Sequence, residues 1–258
     1  MRRIRLVERL QDHATRRRLT AVGVARGWRC LEVGAGGGSI ARWLCERVGT
    51  EGAVLATDID LALLGGSRPA NLEVLRHDLR REPLPEGAFD LVHARWVLHH
   101  LPEPDAVARR LTAALRPGGV LVLEELDRFP VPASPSRRYA ALSEACTRAA
   151  EAASGGSYEW ARSLPGLIPA LGLQGAGAEV DVPIVVGAEP RAELLRLTFL
   201  HVRDAVIAAG GLDAARFDDA LAALGRPGFL GYSAGTVAAW GRRPAAGASS
   251  RPHGARGR

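Results

Sequence analysis

The sequence predicts an α/β fold built on a doubly wound, mostly parallel sheet. Three observations carry that expectation. Apolar strand-like runs alternate with amphipathic helix-like segments over roughly one hundred residues. The runs "AVLA" and "VLVL" are apolar without alternation, as strands buried on both faces are. A glycine-rich turn, "GAGGGS", joins the first strand-like run to the helix-like segment after it.

Residues 1–27 read as a helical cap. In "MRRIRLVERLQDHATRRRL", Ile4, Leu6, Val7 and Leu10 are interrupted by charge, which marks an amphipathic helix and not a secretory leader. Residues 28–127 form the α/β core. "RCLEVG" is its first strand, and "GSIARWLCERV" is a helix with Ile40, Trp43, Leu44 and Val48 on one side. "AVLATDI" is the second strand, "NLEVLRHD" a short third after a turn at 67–69, and "AFDLVHAR" the fourth. "EPDAVARRLTAAL" is a helix that starts near Pro104 and is stopped by Arg116-Pro117-Gly118-Gly119. "VLVLEEL" is the fifth strand.

Residues 128–243 complete the sheet and add a helical lid. After the proline-rich "RFPVPASPS" come a helix, "RRYAALSEACTRAAEAA", and a second helical piece, "YEWARSLPGLIPALGL", broken near Pro165 and Pro169. "GAGAEVDVPIVVG" reads as one strand. "EPRAELLRLTFLHVRDAVIAAG" and "DAARFDDALAAL" are two helices, and "TVAAWGRR" is a last strand. Residues 244–258 have the composition of a disordered tail.

Charge narrows the function classes. The net charge is +6, and all 34 basic residues are Arg. Residues 1–29 hold nine Arg and two acids (+7), and residues 242–258 hold five Arg and no acid (+5), so residues 30–241 carry −6. An acidic body argues against a nucleic-acid partner. No apolar run approaches the roughly 18 residues of a membrane span, so no membrane partner is expected. Cys30, Cys45 and Cys146 have no CxxC or metal-ligand spacing. They suggest buried thiols in a reduced, cytoplasmic protein without a metal.

The glycine turn poses a question of charge. Glu32 stands two residues before Gly34. A diphosphate would be repelled by it, whereas a ligand with an ammonium group and a positive sulfur would be attracted. Ser39 also stands where a dinucleotide fingerprint wants its last glycine. Asp58, ending the second strand, can accept from ribose hydroxyls. Asp78, after the third, can accept from an adenine amino group.

On these residues, and on "LEVGAGGGSIARWL", "VLATDID", "LRHDL" and "PLPEGAFDLVHARWVLHHLPEPDAVARRLTAALRPGGVLVLEE", the chain resembles the class I (Rossmann-like) S-adenosylmethionine-dependent small-molecule methyltransferases over residues 20–127. The resemblance implies a seven-stranded sheet whose last strand, "TVAAWGRR", is antiparallel. It implies S-adenosyl-L-methionine as cofactor, held by Glu32 and the turn of Gly34, Gly36 and Gly38. It implies that Asp58 holds the ribose while Ile59 packs on the adenine. Asp78 would take the adenine amino group, Leu79 would offer its backbone N–H, and Arg95 would lie beside the methionine portion. The long helical stretch at 188–228 departs from the family pattern.

Methyl transfer to a hydroxyl or carbon acid benefits from a general base. His99 and His100 follow the fourth strand, and His100 is preferred as that base. Tyr139, Tyr158, Trp160, Phe199, Phe229 and Tyr232, with His201, suggest an apolar lid. The expected function is methyl transfer to a small, largely apolar metabolite of secondary metabolism, with an oxygen acceptor favoured over nitrogen or carbon. The expected partner is that small molecule, with a homodimer possible through the first helix. One alternative is a relative that binds the cofactor and catalyses a cyclisation or rearrangement without methyl transfer. Another is a non-catalytic cofactor-binding module.

Overall fold

The computed structural model describes residues 1–64, 66 and 68–245. The expected turn at 67–69 and most of the expected tail, 246–258, fall partly or wholly outside them. Helix α1 (Arg2–Ala21) leads to β1 (Arg29–Val33). Then follow α2 (Ser39–Val48), β2 (Ala53–Asp58), β3 (Leu72–Arg76) and β4 (Phe89–Arg95). Helix α3 (Pro104–Ala114) and β5 (Leu115–Asp127) close the first half. Pro104 opens α3, where its missing N–H costs nothing.

The second half holds α4 (Arg137–Ser154), α5 (Leu164–Ala170), β6 (Gln174–Asp181) and β7 (Ile184–Val186). It continues with α6 (Pro190–His201), α7 (Arg203–Ala208), α8 (Ala214–Ala223), β8 (Leu230–Tyr232) and β9 (Gly235–Arg242). The seven-stranded sheet runs β3-β2-β1-β4-β5-β9-β6. Strands β1 to β5 are parallel, and β9 is antiparallel to both of its neighbours. The strand order reverses between β1 and β4, so a crevice opens beyond their carboxyl ends.

Two expectations change. "GAGAEVDVPIVVG" is two strands: β6 joins the main sheet, while β7 pairs with β8 in a separate two-stranded sheet. Pro183 lies at the break, and a residue without an N–H cannot extend the ladder. The long helix from Pro190 divides at Val202 into α6 and α7.

Packing forms three cores. One, on α3 and α5, covers one sheet face, and a second, on α2 with Leu19 of α1, covers the other. The third belongs to the lid, where Tyr139, Phe199 and Phe217 pack with β7 Val185. Cys30, Cys45 and Cys146 are buried and free. No helix among the described residues is long and apolar enough to cross a membrane.

Candidate active site

The turn after β1 is shaped by backbone geometry that only glycine adopts freely. Gly34, Gly36 and Gly38 have φ of 65°, 55° and 82°. Two positions also admit close neighbours. A Cβ on Gly34 would meet Val97 Cγ2 at 2.3 Å, and one on Gly37 would meet Glu8 Oε1 at 2.3 Å. The turn is thus pressed between the segment after β4 and helix α1. Asp58 braces it: its carboxylate accepts from the Gly36 N–H at 2.9 Å and from the Asp60 N–H at 3.0 Å.

A cavity of about 450 Å³ opens on this turn. At one end stand Glu32, Gly34, Gly36 and Gly37, joined by Ile4, Val7 and Glu8 of α1. Leu194, Leu195 and Thr198 of α6, and Val202 just after it, also line the cavity. Helices α1 and α6 pack together and are tied by the Arg2–Glu193 ion pair at 3.1 Å. Two carboxylates therefore face the turn, and Glu8 Oε1 is buried without a hydrogen-bond partner among the described residues. An unpaired buried carboxylate oxygen beside a second acid suits a ligand with a cationic centre and disfavours a diphosphate. The residues present fit S-adenosylmethionine.

Glu32 is anchored from behind. His93 on β4 is fully buried; its Nδ1 lies 2.6 Å from Glu32 Oε2 and its Nε2 lies 3.4 Å from Glu124 Oε1. Burial alone would lower the His93 pKa, but the two carboxylates outweigh it and raise the pKa to about 9. The two carboxylates thus favour its imidazolium form. Glu124 also takes Arg18 of α1 at 2.7 Å and the Thr15 hydroxyl at 3.0 Å. Arg18 reaches on to Glu179 at 2.5 Å and to Asp181, both on β6.

The cavity lining carries a second buried pair. His99 is fully buried, lines the cavity and lies with Nδ1 2.5 Å from Glu125. Glu125 also accepts from the backbone N–H groups of Val97, Leu98 and His99. It is thus fully engaged as a carboxylate, and it orients the imidazole. His99 Nε2 has no partner among the described residues. His100 is exposed at the cavity mouth. Desolvation of its ring, then the neighbouring His99 and the Arg3 cation, hold its pKa well below the usual imidazole range.

Among the residues singled out from sequence, Glu32, Gly34, Gly36, Arg95, His99 and His100 line this cavity. Gly38, Asp58, Ile59, Asp78 and Leu79 do not. Arg95 turns its guanidinium to Asp12 and Thr15 of α1. Ile59 is exposed, Leu79 is buried, and the Asp78 carboxylate is bidentate to Arg80 at 2.9 and 2.8 Å. The arginine holds the Asp78 pKa down at about 2. Of the lid aromatics, Tyr158 lines the cavity, as does His201. Tyr139, Phe199 and Phe229 instead pack in the lid core, and Trp160 donates to Asp105 on α3.

Glu8, Trp96 and Arg191 also line the cavity and have no signal in a motif. Trp96 directly follows β4, at a sheet edge where ligands bind, with a left-handed φ of 59° and an indole N–H that has no hydrogen-bond partner among the described residues. Glu8 and Arg191 belong to helices whose docking no local pattern encodes.

Residues 31–123 match the family described as a methyltransferase domain. A ubiquinone/menaquinone biosynthesis C-methyltransferase (UbiE) of Laribacter hongkongensis is 30% identical over 135 residues, covering 50% of this chain and 54% of that protein. The chain thus spans about half the length of such curated relatives. The YcgJ protein of Bacillus subtilis aligns with a TM-score of 0.57 at 13% identity, over 90% of this chain and 99% of that one. A Haemonchus contortus phosphoethanolamine N-methyltransferase 2, crystallised with S-adenosyl-L-methionine, aligns with a TM-score of 0.53 at 14% identity. That alignment covers 85% of this chain and 49% of the other.

Proposed function

We propose that the chain is a class I S-adenosylmethionine-dependent methyltransferase, a reading supported by its match to the methyltransferase-domain family over residues 31–123, and that it methylates a small, largely apolar metabolite at an oxygen or an acidic carbon. The observation that carries this reading is the His99–Glu125 pair lining the same cavity as the glycine turn. Bound at that turn, the cofactor supplies an electrophilic methyl carbon on a positive sulfur. Glu32 and Glu8 attract the cation, and the turn lets it approach the backbone.

The protein's remaining tasks are alignment, exclusion of water and proton removal. Ile4, Val7, Leu194, Leu195 and Val202 give the cavity apolar walls. Donation from His99 Nδ1 to Glu125 leaves Nε2 as the basic nitrogen, and the carboxylate stabilises the imidazolium that forms on proton uptake. His99, rather than His100, is therefore the better base, because Glu125 orients its ring. The relatives named as C-methyltransferases lend weight to a carbon acceptor beside the oxygen one.

Release of S-adenosylhomocysteine across a panel of phenolic, enolic and amine acceptors tests the assignment. His99→Gln is expected to lower kcat on phenolic or enolic acceptors by about 10²- to 10⁴-fold and to leave cofactor affinity within about twofold. Wild-type kcat in that variant would remove His99 from the chemistry.

A further inference from the structure

The cavity is electrically asymmetric. Its acids, Glu8 and Glu32, flank the glycine turn, while the α6 wall contributes no acid and one arginine, Arg191. Arg191 is half-buried, and among the described residues its guanidinium has neither a hydrogen bond nor an ion pair. The carboxylate nearest in sequence on α6, Glu193, is already taken by Arg196 at 2.8 Å and Arg2 at 3.1 Å. Burial lowers the Arg191 pKa from its ordinary value, and Tyr139 only partly offsets this. Arg191 also sits in the first turn of α6, where the aligned backbone dipoles end positive.

A desolvated cation, unpaired, at the positive end of a helix is unfavourable on all three counts. A bound anion reverses each of them: it pairs the charge, replaces lost solvation with charge-assisted hydrogen bonds, and complements the helix end. Arg3 of α1 lines the same cavity, and its charge acts on both His100 and Tyr158. The apolar Leu194, Leu195 and Val202 line the same cavity.

We propose that Arg191, assisted by Arg3, receives a carboxylate carried by the methyl acceptor, so that the acceptor is an apolar acid rather than a neutral metabolite. The identity of the ligand as acceptor rests on the methyl-transfer reading. The cofactor's own carboxylate is the other source of the same chemistry. Leu194 and Leu195, three and four residues on from Arg191 and so on the same face of α6, line the same cavity and suit the hydrocarbon part of such an acceptor.

The test is calorimetric titration of the full chain, saturated with S-adenosylhomocysteine, with a panel of aryl and alkyl carboxylates and their methyl esters. Acids are expected to bind about ten- to hundredfold more tightly than their esters, the effect of a hydrogen bond to a charged group. That preference should collapse in Arg191→Met and return in part in Arg191→Lys. S-adenosylhomocysteine affinity should be equal in all three proteins.

Equal binding of acids and esters by the wild type overturns the proposal, and so does a preference that survives Arg191→Met. Loss of S-adenosylhomocysteine affinity in Arg191→Met overturns it too, by assigning the guanidinium to the cofactor. Tight binding of acids with no S-adenosylhomocysteine formed from any acceptor would refute methyl transfer and leave the anion subsite standing.

Discussion

His93 lies between two carboxylates with no surface open to water. A buried imidazolium is costly unless paired, and here Glu32 and Glu124 pair it on both nitrogens. Its folded pKa is about 9, against an ordinary value of 6.5. A raised folded pKa means stability that is full below about pH 6.5 and is lost as pH rises through about 9. Thermal unfolding of the ligand-free protein should therefore shift downward by several degrees across that window. His93→Gln should flatten the slope, and parallel slopes in the two proteins would assign it to other groups. None of this was legible in the sequence. Glu32 stood out because an acid beside a glycine turn is chemically odd, but His93 is 61 residues away and looks like any strand residue. Glu8, Trp96 and Arg191 escaped for the same reason: their roles exist only once distant elements meet. The choice between His99 and His100 likewise turned on Glu125, 26 residues on.

At the scale of elements, α1 is unusual because its deepest contacts are polar. Gln11, Thr15 and Arg18 are buried, with Leu19 the sole apolar residue among them. Ile4, Leu6, Val7 and Leu10, the apolar residues of the amphipathic pattern, are only half-buried. Helix α1 is instead held by charge, through Arg18 to Glu124, Glu179 and Asp181, and through Arg95 to Asp12. Arg18→Met would remove one of the cations paired with the buried Glu124, His93 remaining, a loss of about 3 kcal/mol. A fall in the melting temperature on the order of 10 °C is expected. A melting temperature unchanged by Arg18→Met would mean that α1 docks by other contacts. The core strands were legible because burial on both faces demands continuous apolar runs. The split at Pro183 follows from a missing N–H, and partner choice, β9 for β6 and β8 for β7, is a property of the sheet and not of either strand.

For the whole molecule, the reversal of strand order between β1 and β4 sets the crevice, and the first and sixth helices roof it. A ligand that binds only the folded chain stabilises it by mass action, by about 2.7 kcal/mol at a hundredfold excess over Kd. Saturation with S-adenosylhomocysteine should therefore raise the melting temperature by roughly 5–10 °C. It should also slow amide exchange in α1 and α6 as well as in the glycine turn. Protection confined to the turn would show that the two helices do not enclose the ligand. The roof has one more consequence. Arg18 must find Glu179 and Asp181, which lie 161 and 163 residues further along the chain. On the ribosome, α1 is made long before β6 and waits for that strand before it can settle. Until then the nascent polypeptide has an unlatched, strongly cationic arm and an uncovered nucleotide groove, so binding competence is gained late and in one stroke.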